Sequence, residues 1–241
     1  MNPFLLTTAY FPPIAYFSCL KKAEVTYIEQ YENFGKQSYR NRCEIMTANG
    51  VIALTVPVAK ANSKTLIKDL KIVYPTPWQK LHFRGIESAY KNSPYYEYYI
   101  DDLMPFFEKQ ETYLFDHNLA ILTTILDFLK LKRDIRLTTD YIAIGDINYR
   151  DLRNAIHPKV SHRQPGCDYI PKPYRQTFSD RFPFTPNLSI LDLLFCCGPE
   201  AGEMIRKKRV VRVTELKELQ SYRVTELEEL YELKGFDFMA F

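Results

Sequence analysis

The chain lacks every common phosphate-loop fingerprint: neither G-x-G-x-x-G nor G-x-x-x-x-G-K-[ST] occurs, so the usual dinucleotide and P-loop sites are excluded. It has no G-x-S-x-G elbow for a serine nucleophile. Excess charge is missing too: the net charge is +3 over 241 residues, too little for a dedicated nucleic-acid binder with a large basic surface. A local anionic ligand stays open. The five cysteines are an odd number without C-x-x-C or Cys/His ligand spacing, which points to neither a disulfide framework nor a zinc site. Histidines number only four; His157 and His162 have nothing nearby to complete a metal-ligand set. No metal and no cofactor are expected. Apolar runs such as 188–197 fall well short of the roughly 20 residues a bilayer requires, and the start, MNPFLLTTAYFPP, has no basic region before its apolar residues. The expectation is a cytoplasmic protein without an integral membrane segment.

What is present is 46% hydrophobic content, enough for a substantial core, and an excess of aromatics, 18 Tyr and 16 Phe against one Trp. Tyrosine is amphipathic, so the Tyr95-Tyr96-Glu97-Tyr98-Tyr99 cluster either lines a ring-binding cleft or packs between helices, the commoner use.

The pattern along the chain predicts an α/β fold: a β-α-β opening, a β-hairpin, a helical middle region and a helical C-terminus. Pro3–Ala9 reads as a strand, Pro12-Pro13 stops it and pre-sets a helix over Ile14–Ala23, and Val25–Tyr31 follows as a second strand. The helix amino terminus then faces the turn where open α/β sheets place ligands, a position that favours phosphate. Cys43–Val58 reads as a hairpin with Asn49-Gly50 as its turn. Ile67–Tyr74 is a further strand candidate. Trp78–Asn92, Tyr95–Glu108 and Thr112–Lys130 read as helices, Ile135–Tyr141 as a short strand, and Leu188–Cys197 as an apolar helix capped by Ser189 or Asn187. A short helix over Glu200–Lys208 completes the body. Residues 145–187 have little periodicity and are long for an inert loop, as binding loops and lids are. Beyond them, Arg212-Val-Thr-Glu-Leu-Lys-Glu-Leu recurs at Arg223, an eleven-residue offset that makes one apolar helical stripe. Such a tail suits self-association or a partner, and tandem duplication without a role explains it equally well.

Lys36, Arg40 and Arg42 fall within KQSYRNR, just before the hairpin. They suit an anion, and they equally suit a solvated hairpin edge. His82 shares a helix face with Trp78, which sets a possible acid/base beside an aromatic platform. Glu29 and Glu32 stand at the carboxyl end of the second strand, where either could orient a histidine. Asp192 lies in an apolar helix and needs a donor or cation, so it either caps a buried network with an Arg or faces a cleft. Cys43, beside Arg42, reads as a buried structural thiol, and Cys196-Cys197 as buried thiols.

Several ordered motifs carry a family resemblance: Tyr10-Phe-Pro-Pro-Ile-Ala-Tyr-Phe17, Glu29-Gln-Tyr-Glu32, Lys36-Gln-Ser-Tyr-Arg-Asn-Arg42, Leu54-Thr-Val-Pro-Val58, Trp78-x-x-x-His82, Tyr90-x-x-Ser-Pro-Tyr95, Asn187-Leu-Ser-Ile-Leu-Asp-Leu-Leu-Phe195 and Gly198-Pro-Glu200. Together they resemble the WbqC-like protein family over about residues 4–205. One departure is Cys196-Cys197, where the family more often has Asn before Gly-Pro. The resemblance implies one domain over residues 1–208 with a helical repeat tail at 209–241, and a place in surface-polysaccharide (O-antigen) biosynthesis. It implies a transferase moving a glycine, aminoacyl or similar group to a sugar, with an activated sugar or glycan intermediate as partner. On that reading Lys36, Arg40 and Arg42 hold the anion, His82 is general base, Glu32 orients it, Trp78 stacks on the sugar and Asp192 binds substrate. The alternative is a non-catalytic glycan-binding or assembly protein of the same pathway.

Overall fold

Four consecutive apolar or small residues, Phe4–Thr7, are all buried and form β1, the inner-strand pattern of a parallel sheet covered on both faces. The structure is a computed structural model and describes residues 2–62, 64–159 and 169–206. After β1 the chain turns through Phe11, at φ +37°, and Pro12-Pro13 leads into α1, Ile14–Lys22. β2, Val25–Glu29, returns parallel to β1 with Phe4 opposite Thr26. The parallel sheet is completed by β5, Asp134–Leu137, beside β2, and by the two-residue β6, Arg150–Asp151, beside β1. The α/β class and the β-α-β opening are as the sequence indicates.

β3, Arg42–Thr47, and β4, Gly50–Thr55, make a separate antiparallel hairpin. Thr47 pairs with Gly50, so the two-residue turn is Ala48-Asn49, one residue earlier than the Asn49-Gly50 expected. Gly50 takes φ +103° as the first residue of β4. The middle is helical: α2 is Trp78–Tyr90, α3 Tyr96–Leu103, α4 Pro105–Glu108 and α5 Leu114–Phe128. On α2, Trp78, His82, Ile86 and Tyr90 recur every fourth residue on the buried face. Near the carboxyl end, α6 is Ile190–Cys197 and α7 is Ala201–Arg206.

Three expectations change. Ile67–Tyr74 is not a strand: Ile67–Asp69 is a turn of 3-10 helix, followed by single bridges from Ile72 to Val58 and from Lys71 to Tyr113. Its apolar residues bury Ile67, Leu70 and Ile72 without a continuous partner strand. The amino terminus of α1 is not open to a phosphate, because the Ala15 N–H donates to Asn187 Oδ1 (2.9 Å) and the Ile14 N–H to the Leu188 carbonyl (3.1 Å). Asn187 thus caps α1, while Ser189 caps α6. Cys196 and Cys197 are half-buried rather than buried. The repeat at 212–230, and the domain boundary expected at 208, lie outside the described residues. Among the described residues, no helix is long and apolar enough to cross a membrane.

Candidate functional site

The carboxyl ends of β1, β2 and β6 gather ionised groups inside the protein. Glu29, fully buried at the end of β2, accepts the Thr138 hydroxyl (2.8 Å) and the Tyr31 N–H (2.9 Å) on one oxygen. Its other oxygen accepts the Ile142 N–H (3.0 Å) and Nη1 of Arg153 (3.2 Å). Arg153 also grips Asp151 of β6 through Nε (3.0 Å) and Nη2. Burial works to raise the Asp151 carboxyl, but these contacts outweigh it and hold the group below its ordinary range. Glu32, just beyond β2, takes the Thr7 hydroxyl and a two-pronged clasp from Arg40, Nε at 2.9 Å and Nη2 at 2.6 Å.

Glu32, Arg40 and Arg153 wall a cleft of about 290 Å³, completed by Ser38, Asn154, His157, Tyr141 and Ile144. Tyr141 is 51% exposed, with the Arg153 guanidinium 5.3 Å from its ring centre. The Lys159 N–H donates to Nδ1 of His157 (3.2 Å), which leaves the proton of the neutral ring on Nε2. Burial and the nearby charges of Arg40, Arg42 and Lys159 lower the His157 pKa, so the ring is neutral at pH 7.

The loop 33–42 divides this cleft from a second pocket of about 320 Å³. Asn33, Gly35, Ser38 and Arg40 line the first, and Phe34, Lys36, Gln37, Asn41 and Arg42 line the second. The loop is pinned from behind, where Asn118 Nδ2 donates to the Arg40 carbonyl (2.8 Å) and the Tyr10 N–H to the Tyr39 carbonyl (2.9 Å).

The match to known proteins falls on this region: the profile of the WbqC-like protein family covers residues 8–161. The chain belongs to the WbqC-like protein family. A relative in Mycobacterium tuberculosis, named "Uncharacterized protein Rv1507c", is 27% identical over 228 residues, 84% of this chain and 96% of that protein. No solved structure matches significantly. The WbqC-like match takes in both pockets, and it stops before α6.

Within this WbqC-like fold, the residues singled out from sequence separate into four places. Glu32 and Arg40 face one another in the first cleft, while Lys36 and Arg42 line the second pocket. His82 and Trp78 lie in the core behind the hairpin, 5% and 3% exposed. His82 Nδ1 meets the Tyr10 hydroxyl at 3.0 Å, and the ring also bonds the Thr55 backbone. Burial brings the His82 pKa down to about 4, against the Thr55 bond and with help from His117. Glu32 therefore bonds Thr7 and Arg40 rather than orienting His82. Trp78 stacks on Tyr74, 5.9 Å between ring centres, and lines a separate aromatic groove of about 690 Å³.

Asp192 stands apart from all of these, fully buried on α6. It accepts Tyr90 (3.0 Å), Tyr174 (2.6 Å) and Gln176 (3.0 Å) and, among the described residues, forms no ion pair with an arginine. Burial raises its pKa despite those three donors. Through Tyr174 and Gln176 it fastens residues 174–185 to the body, since the Gln176 amide also bonds both backbone groups of Thr185. That much of the long 145–187 segment is held in place. Cys43 is buried with its thiol pKa pushed up, mainly by burial, as suits a structural thiol.

Sequence reasoning missed Arg153, His157, Tyr141 and Lys60 as site residues. No local signal marks their place, because distant partners define it: Arg153 meets Glu29 across 124 positions of chain. Among the described residues, no group of three or more His, Cys, Asp and Glu could hold a metal ion.

Proposed function

We propose that this WbqC-like protein is a transferase that places an aminoacyl or similar group on a sugar in surface-polysaccharide biosynthesis, with the reacting groups meeting in the 290 Å³ cleft. The observation that carries this reading is the concentration of buried charged side chains there: Glu32, Arg40 and Arg153 line the cleft, Glu29 stands behind Arg153, and each is no more than 8% exposed. Desolvating such groups costs several kcal/mol per ion, roughly, before pairing offsets it. A fold accepts that cost where charge must be held in a fixed place, which is characteristic of functional sites.

The parts divide the work as follows. The half-exposed ring of Tyr141 offers a face to the sugar, and the Asn154 and Asn33 amides suit its hydroxyls. An amine or hydroxyl of the sugar attacks the carbonyl carbon of an activated aminoacyl donor. The new C–N or C–O bond forms as the bond to the leaving group breaks, and the proton lost by the nucleophile ends on the departing group. Neutral His157, with its proton on Nε2, donates to the carbonyl oxygen as negative charge builds there, and Arg40 and Arg153 add their positive field. His82 takes no part in this scheme, since it is enclosed and already bonded to Tyr10 and Thr55.

The test is to incubate the protein with nucleotide-sugars, lipid-linked glycans of its cell and activated aminoacyl donors, and to follow the sugar by mass spectrometry. The expected product gains one aminoacyl mass, and His157→Asn lowers kcat by about 100-fold, the usual effect of losing one oxyanion donor. Saturable glycan binding with no turnover by any donor would instead make the protein a binding or assembly component. Turnover unchanged in His157→Asn would remove His157 from the mechanism.

A further inference from the structure

We infer that the second pocket is a phosphate site: Lys36, Arg42 and Lys60 converge there to hold the phosphate or diphosphate group by which the sugar substrate is activated or carried. The sugar is that of the transferase reading above, on which this part of the inference rests.

Three cationic side chains line this pocket of about 320 Å³ and no carboxylate does. They arrive from three parts of the chain: the 33–42 loop, the start of β3 and the segment after β4. None of the three forms an ion pair among the described residues, although Arg40, two positions before Arg42, is clasped by Glu32. The sequence makes Arg40 and Arg42 look alike; the fold neutralises one and leaves the other to a ligand. Arg42 Nε is moreover cut off from solvent and, among the described residues, has no hydrogen-bond partner, which is costly for a charged group. Like charges gathered in one pocket repel until an anion fills it.

The geometry favours phosphate over carboxylate. A carboxylate is planar and is satisfied by one two-pronged arginine, as Glu32 is by Arg40. A tetrahedral phosphate offers oxygens in several directions, which suits cations arriving from three sides. The walls are built before any ligand arrives. Asn41 Nδ2 donates to the Val56 carbonyl (2.9 Å) and the Val56 N–H to the Asn41 carbonyl (2.7 Å). The Ala59 N–H is bonded to Lys71 (2.8 Å) and the Phe34 N–H to Thr65 (3.1 Å). His82 and Tyr10 brace Thr55 from inside. A pocket fixed in this way loses little freedom on binding. It also communicates with the first cleft: Lys159 bonds Gln37 at its rim (2.5 Å) and is two residues from His157.

Isothermal titration of the full chain with inorganic pyrophosphate at low ionic strength tests the site. The expected result is saturable binding that weakens at least about tenfold in Arg42→Gln and in the Lys36→Gln/Lys60→Gln double variant. Both lysines are exposed, so the double variant folds even if Arg42→Gln does not. His157→Asn should bind pyrophosphate within about twofold of the parent. Added pyrophosphate should also move the NMR titration of His157 to higher pH, because it screens Arg42 and Lys159, two of the charges that hold that pKa down. Parallel titrations with UDP and with farnesyl diphosphate separate a nucleotide carrier from a lipid carrier, and tighter binding of either supports the site. Absence of saturable binding, or binding that both variants leave unchanged, overturns it. Pyrophosphate binding without any sugar transfer would keep this site and lose the transferase reading. Sugar transfer with an unaltered KM in both variants would do the reverse.

Discussion

Two buried polar regions of this protein handle polarity in opposite ways. At the carboxyl edge of the parallel sheet, Glu29, Glu32 and Asp151 are paired with Arg40 and Arg153, and Glu32, Arg40 and Arg153 line a cleft. Behind the hairpin, Tyr10, Trp78, His82 and His117 form an aromatic cluster whose histidines are kept neutral by burial, with pKa values near 4. There, His117 stacks on Tyr10 at 5.9 Å, and among the described residues neither of its ring nitrogens has a hydrogen-bond partner. Trp78 Nε1 and Asn118 Oδ1 are likewise buried and unpartnered. Charge is retained where a partner of opposite sign is built beside it and suppressed where none is. Histidine type alone does not mark the site; what surrounds the ring does.

The comparison can be broken most severely at Arg153. Arg153→Ala leaves Glu29 and Asp151 without their cation and should cost about 3–5 kcal/mol of stability, measured by urea unfolding. Adding Glu29→Gln should restore part of that loss, because one uncompensated charge is removed; no recovery would mean that packing rather than charge pairing sets the effect.

The neutral region should reveal itself through acid. His82 and His117 have folded pKa values near 4 against the ordinary 6.5, so the unfolded chain binds more protons between those values. Their contribution to stability is full above pH 6.5 and declines as pH falls toward 4, by up to about 3 kcal/mol for each ring. Unfolding curves at pH 7 and pH 5 measure this, and an equal midpoint at both would refute the assignment.

A smaller effect is expected at Tyr10. Tyr10→Phe removes the hydroxyl facing His82 Nδ1 and should cost about 1–3 kcal/mol, with the His82 titration moved in NMR. The smallest change belongs to His117→Phe. No hydrogen bond is lost there, so stability at pH 7 should stay within about 1 kcal/mol, while the acid sensitivity falls by roughly half. A large loss at pH 7 would mean that His117 makes a polar contact absent from the cluster described.

The same contrast explains what could be read beforehand. The β-α-β opening, the hairpin and the helical middle were legible because apolar spacing, Pro12-Pro13 and Asn49-Gly50 are local signals. Ile67–Tyr74 misled because its apolar residues alternate as a strand's do, while its backbone partners come from separate segments. β6 has two residues and no pattern of its own, so only the sheet defines it. Among the site residues, Glu32 and the KQSYRNR cations stood out as charges, but which cation would be neutralised depends on a side-chain direction that composition does not encode. His157 and Arg153 were invisible for the opposite reason: each looks ordinary until residues from β2 and the 33–42 loop arrive beside it. Asp192 signalled a network correctly as a buried acid, yet its partners proved to be tyrosines and an amide.

The partition made by the 33–42 loop has a consequence for how the protein can change over time. Because neighbouring residues of one short segment serve opposite cavities, a single inserted or deleted residue would exchange much of their linings. Substitution can tune either cavity by itself, whereas a change in loop length must alter both together. Descendants of this protein are therefore free to vary the chemistry of the loop far more readily than its length.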